Sequence, residues 1–197
     1  TAAAVAVTAA APSRAMTFGR YDHAAFLTYI AYAAGSVVAP VSLVSLARDL
    51  GFRLEAGGMT AGGSLQIGRT VALVVALLLC GFWAARWGKR GTLGVSVLLM
   101  GIGMAGVALA PTYGVVFLAL IVAGVGEGVI EGLATPFIQD LHPDDPGRYV
   151  NFTHAFWSVG VLITVLAAGA LLAVGVSWRV IVGAASLGAL VPALVLL

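Results

Sequence analysis

Six long apolar stretches follow one another along the chain, and short polar segments separate them. A helix that spans a membrane needs about 20 mostly apolar residues, and each stretch meets that length. The longest uncharged run is divided by Pro111, because a proline inside a helix removes a hydrogen bond and clashes with the preceding turn. The pattern predicts six helices, at about residues 24–47, 59–85, 92–110, 114–139, 149–174 and 178–197.

These helices predict an all-α membrane protein with two parts. Residues 1–20 form an N-terminal arm that is rich in small residues, and residues 21–197 form one six-helix transmembrane bundle. The chain does not begin with Met and ends inside an apolar run, so we expect it to be a fragment of a longer protein.

Composition supports the membrane prediction and removes other classes. Hydrophobic residues make up 61% of the chain and charged residues 9%, whereas soluble domains carry about 25% charged residues. Nucleic-acid-binding and disordered proteins are excluded for the same reason. Cys80 is the only cysteine, so no intrachain disulfide and no multi-cysteine metal site can form. The segment His142-Pro143-Asp144-Asp145 is better explained by helix capping than by metal binding, and we expect no metal or cofactor.

Polarity varies along the six predicted helices with a period of three. Helices 1, 2, 4 and 5 carry polar or acidic side chains at mid-depth, whereas helices 3 and 6 carry almost none. Two three-helix repeats, in which every third helix faces lipid, would produce this pattern.

The distribution of Lys and Arg predicts the orientation, since cytoplasmic loops carry an excess of both. With the N-terminus inside, the inner loops hold six basic residues and the outer loops three. The inner set is Arg14, Arg20, Arg86, Lys89, Arg90 and Arg148, and the outer set is Arg48, Arg53 and Arg179. We therefore expect an integral membrane protein with a cytoplasmic N-terminus.

Three charged residues lie within predicted spans, where an ionisable group indicates function by default. Glu127 and Glu131 share one face of helix 4 with Thr135. Arg69 lies on helix 2, three residues after Gln66. An arginine there needs a carboxylate, so Glu127 or Glu131 is its expected partner. The alternatives are a purely structural role for each glutamate and an arginine that reaches an interface.

Two polar stripes also occur at helical spacing, one on helix 1 and one on helix 5. They consist of Tyr29, Tyr32 and Ser36 on helix 1, and of Asn151, His154 and Ser158 on helix 5, with Trp157 beside them. Hydroxyls, amides and aromatic rings suit a neutral polar solute such as a sugar. The alternative is hydrogen bonding between helices without any ligand.

The turn between helices 2 and 3 resembles the signature of the major facilitator superfamily, G-x-x-x-D-R-x-G-R-R. The matching residues are Gly81, Arg86, Gly88, Lys89 and Arg90. Ala85 replaces the acid of that signature, so its gating contact is not carried over. The resemblance implies that this chain is the N-terminal one of two six-helix bundles that enclose a central cavity.

A second stretch is similar to the fucose permease-like sugar–proton symporters, which carry L-E-T-A-x-N-P followed by L-N-x-x-Q-x-F. Glu131 corresponds to their helix-4 acid, which implies a role in proton coupling, and Asn151 corresponds to their helix-5 asparagine. His154 replaces their glutamine. Helix 1 departs from this branch, since Ser36 stands where an acid precedes the proline, so no particular substrate is implied.

We therefore expect a secondary transporter of the bacterial inner membrane, not an enzyme, that moves a small polar solute by alternating access with proton coupling. Glu131, Glu127 and Arg69 are the expected coupling residues, with Arg69 stabilising the charged form of Glu131. The expected solute-binding residues are Gln66, Asn151, His154, Tyr32, Ser36 and Trp157. The expected partners are the solute, the proton, the lipid bilayer and a second six-helix bundle.

Three alternatives remain open from the sequence. The first is a half-size carrier that works as a homodimer. The second is a membrane-embedded hydrolase that uses Ser158 or Ser36 with His154. The third is a non-transporting scaffold.

Overall fold

The computed structural model describes residues 15–52, 54 and 59–197, and within these residues the regular structure is entirely helical. The predicted arm at residues 1–20 and the segment between the first two predicted helices lie partly outside this range. The helices are α1 (Arg20–Val41), α2 (Leu43–Leu50), α3 (Met59–Trp87), α4 (Lys89–Leu109), α5 (Tyr113–Leu141), α6 (Pro146–Ala173), α7 (Trp178–Leu187) and α8 (Leu190–Leu196).

Six segments of the described chain are long and apolar enough to cross a membrane, which confirms the predicted number of spans. They are α1, α3, α4, α5, α6 and the combined α7–α8 segment. Pro111 lies between α4 and α5, where the sequence predicts the chain to turn. The side chain of Thr112 then caps α5 by accepting a hydrogen bond from the Val115 backbone N–H.

Two of the predicted spans are interrupted near a proline. The first begins at Arg20, earlier than predicted, and breaks at Ser42, two residues after Pro40. The sixth breaks at Gly188 and Ala189, ahead of Pro192. In the sixth span the proline cannot donate to the Gly188 carbonyl, which lies at the break. In the first span the missing bond is to the Ser36 carbonyl, one turn before the break.

The predicted basic turn at residues 86–90 is shorter in the structure. Helix α3 continues to Trp87 and α4 begins at Lys89, so only Gly88 separates them. Gly88 has a φ of 77°, which non-glycine residues rarely adopt. The sharp reversal between the two helices therefore requires this glycine.

The helices pack as two three-helix repeats, the first formed by α1, α3 and α4 and the second by α5, α6 and the α7–α8 segment. The second helix of each repeat packs against the first helix of the other, so α3 contacts α5 and α6 contacts α1. Helix α4 packs against α5, α7 and α8. We call the end with Gly88 and the α5–α6 loop the basic end, and the end with α2 and the α4–α5 loop the opposite end.

The buried apolar core consists mainly of two clusters along the bundle axis. One lies toward the opposite end and includes Val38, Leu46, Met104, Val107, Val116 and Val182. The other lies toward the basic end and includes Ala24, Leu93, Val97, Ile130, Ala193 and Leu196.

The six spans differ in how much of each is buried within this bundle. Only 17% of the apolar window of α3 and 11% of that of α6 is buried, compared with 61% for α4, the third span. Burial within one bundle does not distinguish a face that meets lipid from one that meets a second bundle, so the expectation that every third helix faces lipid stays a prediction.

Candidate functional site

A buried ion pair joins α3 to α5 in the middle of the bundle. Arg69 is 5% exposed and Glu127 is 1% exposed. The Arg69 Nε atom donates to Glu127 Oε2 at 2.8 Å, and its Nη2 atom donates to the other carboxylate oxygen. This bidentate geometry is the strongest form of an arginine–carboxylate contact.

Three glycines on α5 allow α3 to approach closely enough for this pair. Gly124, Gly128 and Gly132 lie one turn apart on the face of α5 that contacts α3. A Cβ atom at these positions would collide with the Arg69 backbone oxygen, the Leu73 backbone oxygen and the Cys80 sulfur, respectively. Only glycine leaves room for this approach.

Arg69 also binds the backbone of α1. Its Nη2 atom donates to the Gly35 carbonyl oxygen at 2.9 Å, and its Nη1 atom donates to the Ser36 carbonyl oxygen at 3.2 Å. Together with the bonds to Glu127, these contacts use four of the five N–H groups of the guanidinium. One side chain therefore links α1, α3 and α5.

A polar cavity of about 360 Å³ lies between α1, α5 and α6. Its lining residues are Tyr29, Tyr32, Glu131, His154, Trp157 and Ser158. Aromatic rings and a few convergent polar groups are the usual lining of a small-molecule site.

His154 is held in this cavity by residues from two other helices. Its Nε2 atom lies 2.9 Å from the Tyr29 hydroxyl and 3.0 Å from the Thr135 hydroxyl. Which atom of each pair donates depends on the tautomer of the imidazole ring. The side chains of α1, α5 and α6 are thus connected at one point on the cavity wall.

Glu131 faces the same cavity and is exposed. Among the described residues it forms no ion pair with a basic side chain. The sequence leaves Glu127 and Glu131 open as partners of Arg69, and the structure selects Glu127. The expected contact by which Arg69 stabilises the charge on Glu131 is therefore absent from the described ion pairs, because Glu131 lies one helical turn farther along α5.

Three of the other expected solute-binding residues are not among those that line the cavity. The Ser36 hydroxyl donates to the Tyr32 carbonyl oxygen of its own helix at 2.7 Å. Gln66 is half-buried on α3, and Asn151 is exposed near the start of α6. Tyr29, Thr135 and Ser158 belong to the polar positions that the sequence highlights, although the expected solute-binding set omits them.

The basic end carries two sets of polar contacts. Lys89 pairs with Asp140 at 2.6 Å, and Arg90 donates to the Tyr21 hydroxyl at 2.7 Å. The Arg86 side chain forms no hydrogen bond or ion pair with another described residue, and Ala85 and Gly81 are exposed. The signature turn therefore contacts α1 and α5 through its last two basic residues.

The His142 segment does not cap α6 as the sequence suggests. Asp145 occupies the N-cap position without a capping hydrogen bond from its side chain. His142 instead contacts Asp22, with 2.6 Å between its Nε2 atom and Asp22 Oδ1, and stacks on the ring of Tyr149 at 3.5 Å. The His142 segment therefore connects α1 with the α5–α6 loop instead of capping α6.

The described residues contain no cluster of three or more side chains that could hold a metal ion.

Comparison with known proteins identifies the family. The family model of the Major Facilitator Superfamily matches residues 24–197. No curated protein matches the chain.

A solved structure of similar fold is that of the proton:xylose symporter XylE, bound to 6-bromo-6-deoxy-D-glucose. The TM-score is 0.80 at 18% sequence identity, and the match covers 89% of this chain and 43% of that one. The chain therefore spans less than half the length of the symporter. The family model and the shared fold confirm the resemblance to this superfamily of transporters, which are not enzymes, whereas the fucose permease-like branch stays a prediction. This chain belongs to the major facilitator superfamily and has the fold of its N-terminal six-helix half.

Proposed function

We propose that this bundle is half of a secondary transporter that moves a small polar solute, a sugar, together with protons. The observation that supports this proposal is the position of Glu131, which faces the polar cavity without a basic partner among the described residues. Arg69 already neutralises Glu127. Glu131 is therefore the carboxylate that remains available to a proton from the cavity.

The chemistry of the cavity fits both parts of the proposal. A carboxylate inside a membrane span that faces a cavity is the kind of group that relays protons in transporters. The rings of Tyr29, Tyr32 and Trp157 offer flat surfaces, and the hydroxyls and His154 offer hydrogen bonds. A sugar presents a matching combination of apolar ring faces and hydroxyl groups.

A second six-helix bundle completes the proposed carrier. The chain covers 43% of the solved symporter, and the apolar faces of α3 and α6 are largely exposed within this bundle. We infer that the second bundle is a C-terminal half or a second copy of this chain, and that alternating access arises from movement of one bundle against the other.

Removing the ionisable group of Glu131 tests the proposed coupling. In proteoliposomes that contain the complete carrier, we expect Glu131→Gln to retain D-xylose counterflow but to lose accumulation driven by a pH gradient. The reason is that this variant binds no proton at residue 131, so a pH gradient can no longer favour one state of the carrier over the other. Radiolabelled D-xylose measures both activities.

Glu131→Asp is the matched control, because it keeps a carboxyl group and should keep measurable accumulation. Normal accumulation in Glu131→Gln would contradict the coupling role. Loss of both activities in that variant, with D-xylose bound by the parent, would indicate direct solute binding by Glu131. Absence of D-xylose transport in the parent would contradict this sugar as the solute.

We further propose that the protein lies in a bacterial inner membrane with a cytoplasmic N-terminus. The basic residues support this orientation, and cysteine labelling tests it. Asp144 and Pro111 are exposed near the two ends of α5, which lie about 40 Å apart at 1.5 Å per residue. In a Cys80→Ala background, we expect an impermeant maleimide to label Pro111→Cys but not Asp144→Cys in intact cells. The reverse pattern would overturn the orientation, and labelling of Asp144→Cys after lysis confirms that the site is reactive.

A further inference from the structure

The contact between Arg69 and α1 occurs where the helix lacks a backbone donor. In an α-helix the carbonyl of residue 36 accepts from the N–H of residue 40, but that residue is Pro40, which has no N–H. The proline ring also pushes this carbonyl away from the helix axis. The Ser36 carbonyl instead accepts from Nη1 of Arg69 at 3.2 Å.

We infer that Arg69 is a positioning residue that replaces the donor missing at Pro40 and so fixes this turn of α1 against α5. The Gly35 carbonyl, which accepts from the same guanidinium at 2.9 Å, gives the contact a second point of attachment. An unpaired carbonyl in the interior of a membrane is strongly unfavourable, because no water is available to hydrogen-bond it. The turn therefore depends on a side chain from another helix.

The position of this contact connects it with the cavity. Gly35 lies three residues after Tyr32 on α1, and Glu127 lies four residues before Glu131 on α5. Tyr32 and Glu131 both line the cavity. Arg69 thus sets the spacing of α1 and α5 one helical turn away from these two side chains. The effect of this spacing on solute binding rests on the proposed function, whereas the hydrogen bonds between Arg69 and α1 do not.

The backbone of α1 lies beside the buried ion pair at Gly35, where an added side-chain atom would make ordinary van der Waals contacts. A Cβ atom at Gly35 would lie 3.5 Å from Glu127 Oε1 and 3.4 Å from the sulfur of Met100. The backbone of α1 therefore approaches the buried ion pair directly, and the guanidinium can reach the carboxylate and both carbonyls at once.

Arg69→Lys separates the charge of Arg69 from its geometry. An ammonium group can still pair with Glu127, but its three donors share one nitrogen and cannot span the carboxylate and two carbonyls as the planar fork does. We expect backbone amide exchange in residues 33–46 to become about tenfold faster in this variant, as for the loss of a charged hydrogen bond. Hydrogen-exchange mass spectrometry of the complete protein in nanodiscs measures this without any solute.

Pro40→Ala is the decisive second change, because it restores an N–H to the Ser36 carbonyl from within α1. Adding it to Arg69→Lys should reverse most of the increase in exchange. Pro136→Ala is the matched control, since Pro136 also lies inside a helix, α5, but the carbonyls to which Arg69 donates belong to α1. Adding Pro136→Ala should reverse none of the increase.

The inference is overturned if Arg69→Lys leaves exchange in residues 33–46 unchanged, or if Pro40→Ala fails to reverse the increase. Equal reversal by Pro136→Ala would overturn it as well. If Arg69→Lys alone does not fold, recovery of folded protein on adding Pro40→Ala supports the inference, and no recovery contradicts it. A failed D-xylose assay would affect only the proposed function, because amide exchange is measured without solute.

Discussion

Arg69→Met is expected to lower the free energy of unfolding by about 3–5 kcal/mol, since removing one partner of a buried ion pair leaves an uncompensated charge. The charge left behind is Glu127, which is 1% exposed. Adding Glu127→Gln removes that charge, so the double variant should recover part of the loss. Thermal or denaturant unfolding in detergent is measured for the purified parent protein, the two single variants and the double variant, which together form a double-mutant cycle.

Two controls make the assignment specific to Glu127. Arg69→Met combined with Glu131→Gln should be additive, because residues without a shared contact rarely couple. Arg86→Met makes the same substitution at an exposed residue that forms no ion pair with another described residue, and we expect it to change the free energy of unfolding by less than about 0.5 kcal/mol. Additivity in the Arg69–Glu127 cycle, or recovery through Glu131→Gln instead, would refute the pair.

Gly128→Ala is expected to destabilise the bundle by about 1–3 kcal/mol or more, the usual cost of overpacking a tight core. The added Cβ would collide with the backbone oxygen of Leu73, which cannot rotate away as a side chain can. Helices α3 and α5 must therefore separate, and the contact between Arg69 and Glu127 is loosened. The thermal unfolding midpoint of the purified variant measures the effect.

Gly169→Ala is the matched control for this substitution. Gly169 also lies inside a long helix, α6, but a Cβ atom there would meet nothing within 4 Å. Alanine is favoured over glycine in a helix by about 0.5–1 kcal/mol, so this variant should be unchanged or slightly more stable. Similar losses of stability in both variants would show that close contact between α3 and α5 is not the cause.

The identity of the Arg69 partner illustrates a choice that the sequence leaves open. Glu127 and Glu131 share one face of the same helix, so periodicity alone cannot separate them. The register of α3 against α5 decides between them, because Gly124 lies against the Arg69 backbone and places the guanidinium beside the next turn of α5. That register depends on contacts between segments far apart in sequence.

The polar cavity shows a similar division. The sequence identifies the stripes on α1 and α6 and the acidic face of α5, because each is periodic within one helix. It does not predict that His154 meets both Tyr29 and Thr135, or that Asn151 lies away from the cavity lining. The relative rotation of three packed helices determines these outcomes.

The sequence by itself determines the class of this protein, the number of spans and the candidate polar residues, because apolar length and helical periodicity are local properties of the chain. It also carries the signature turn and the prolines that interrupt two spans. Only the tertiary structure decides which glutamate binds Arg69, which polar residues line the cavity and which spans are most exposed. These features depend on the register and rotation of neighbouring helices, which are fixed by close contacts such as those of Gly124, Gly128 and Gly132 with α3.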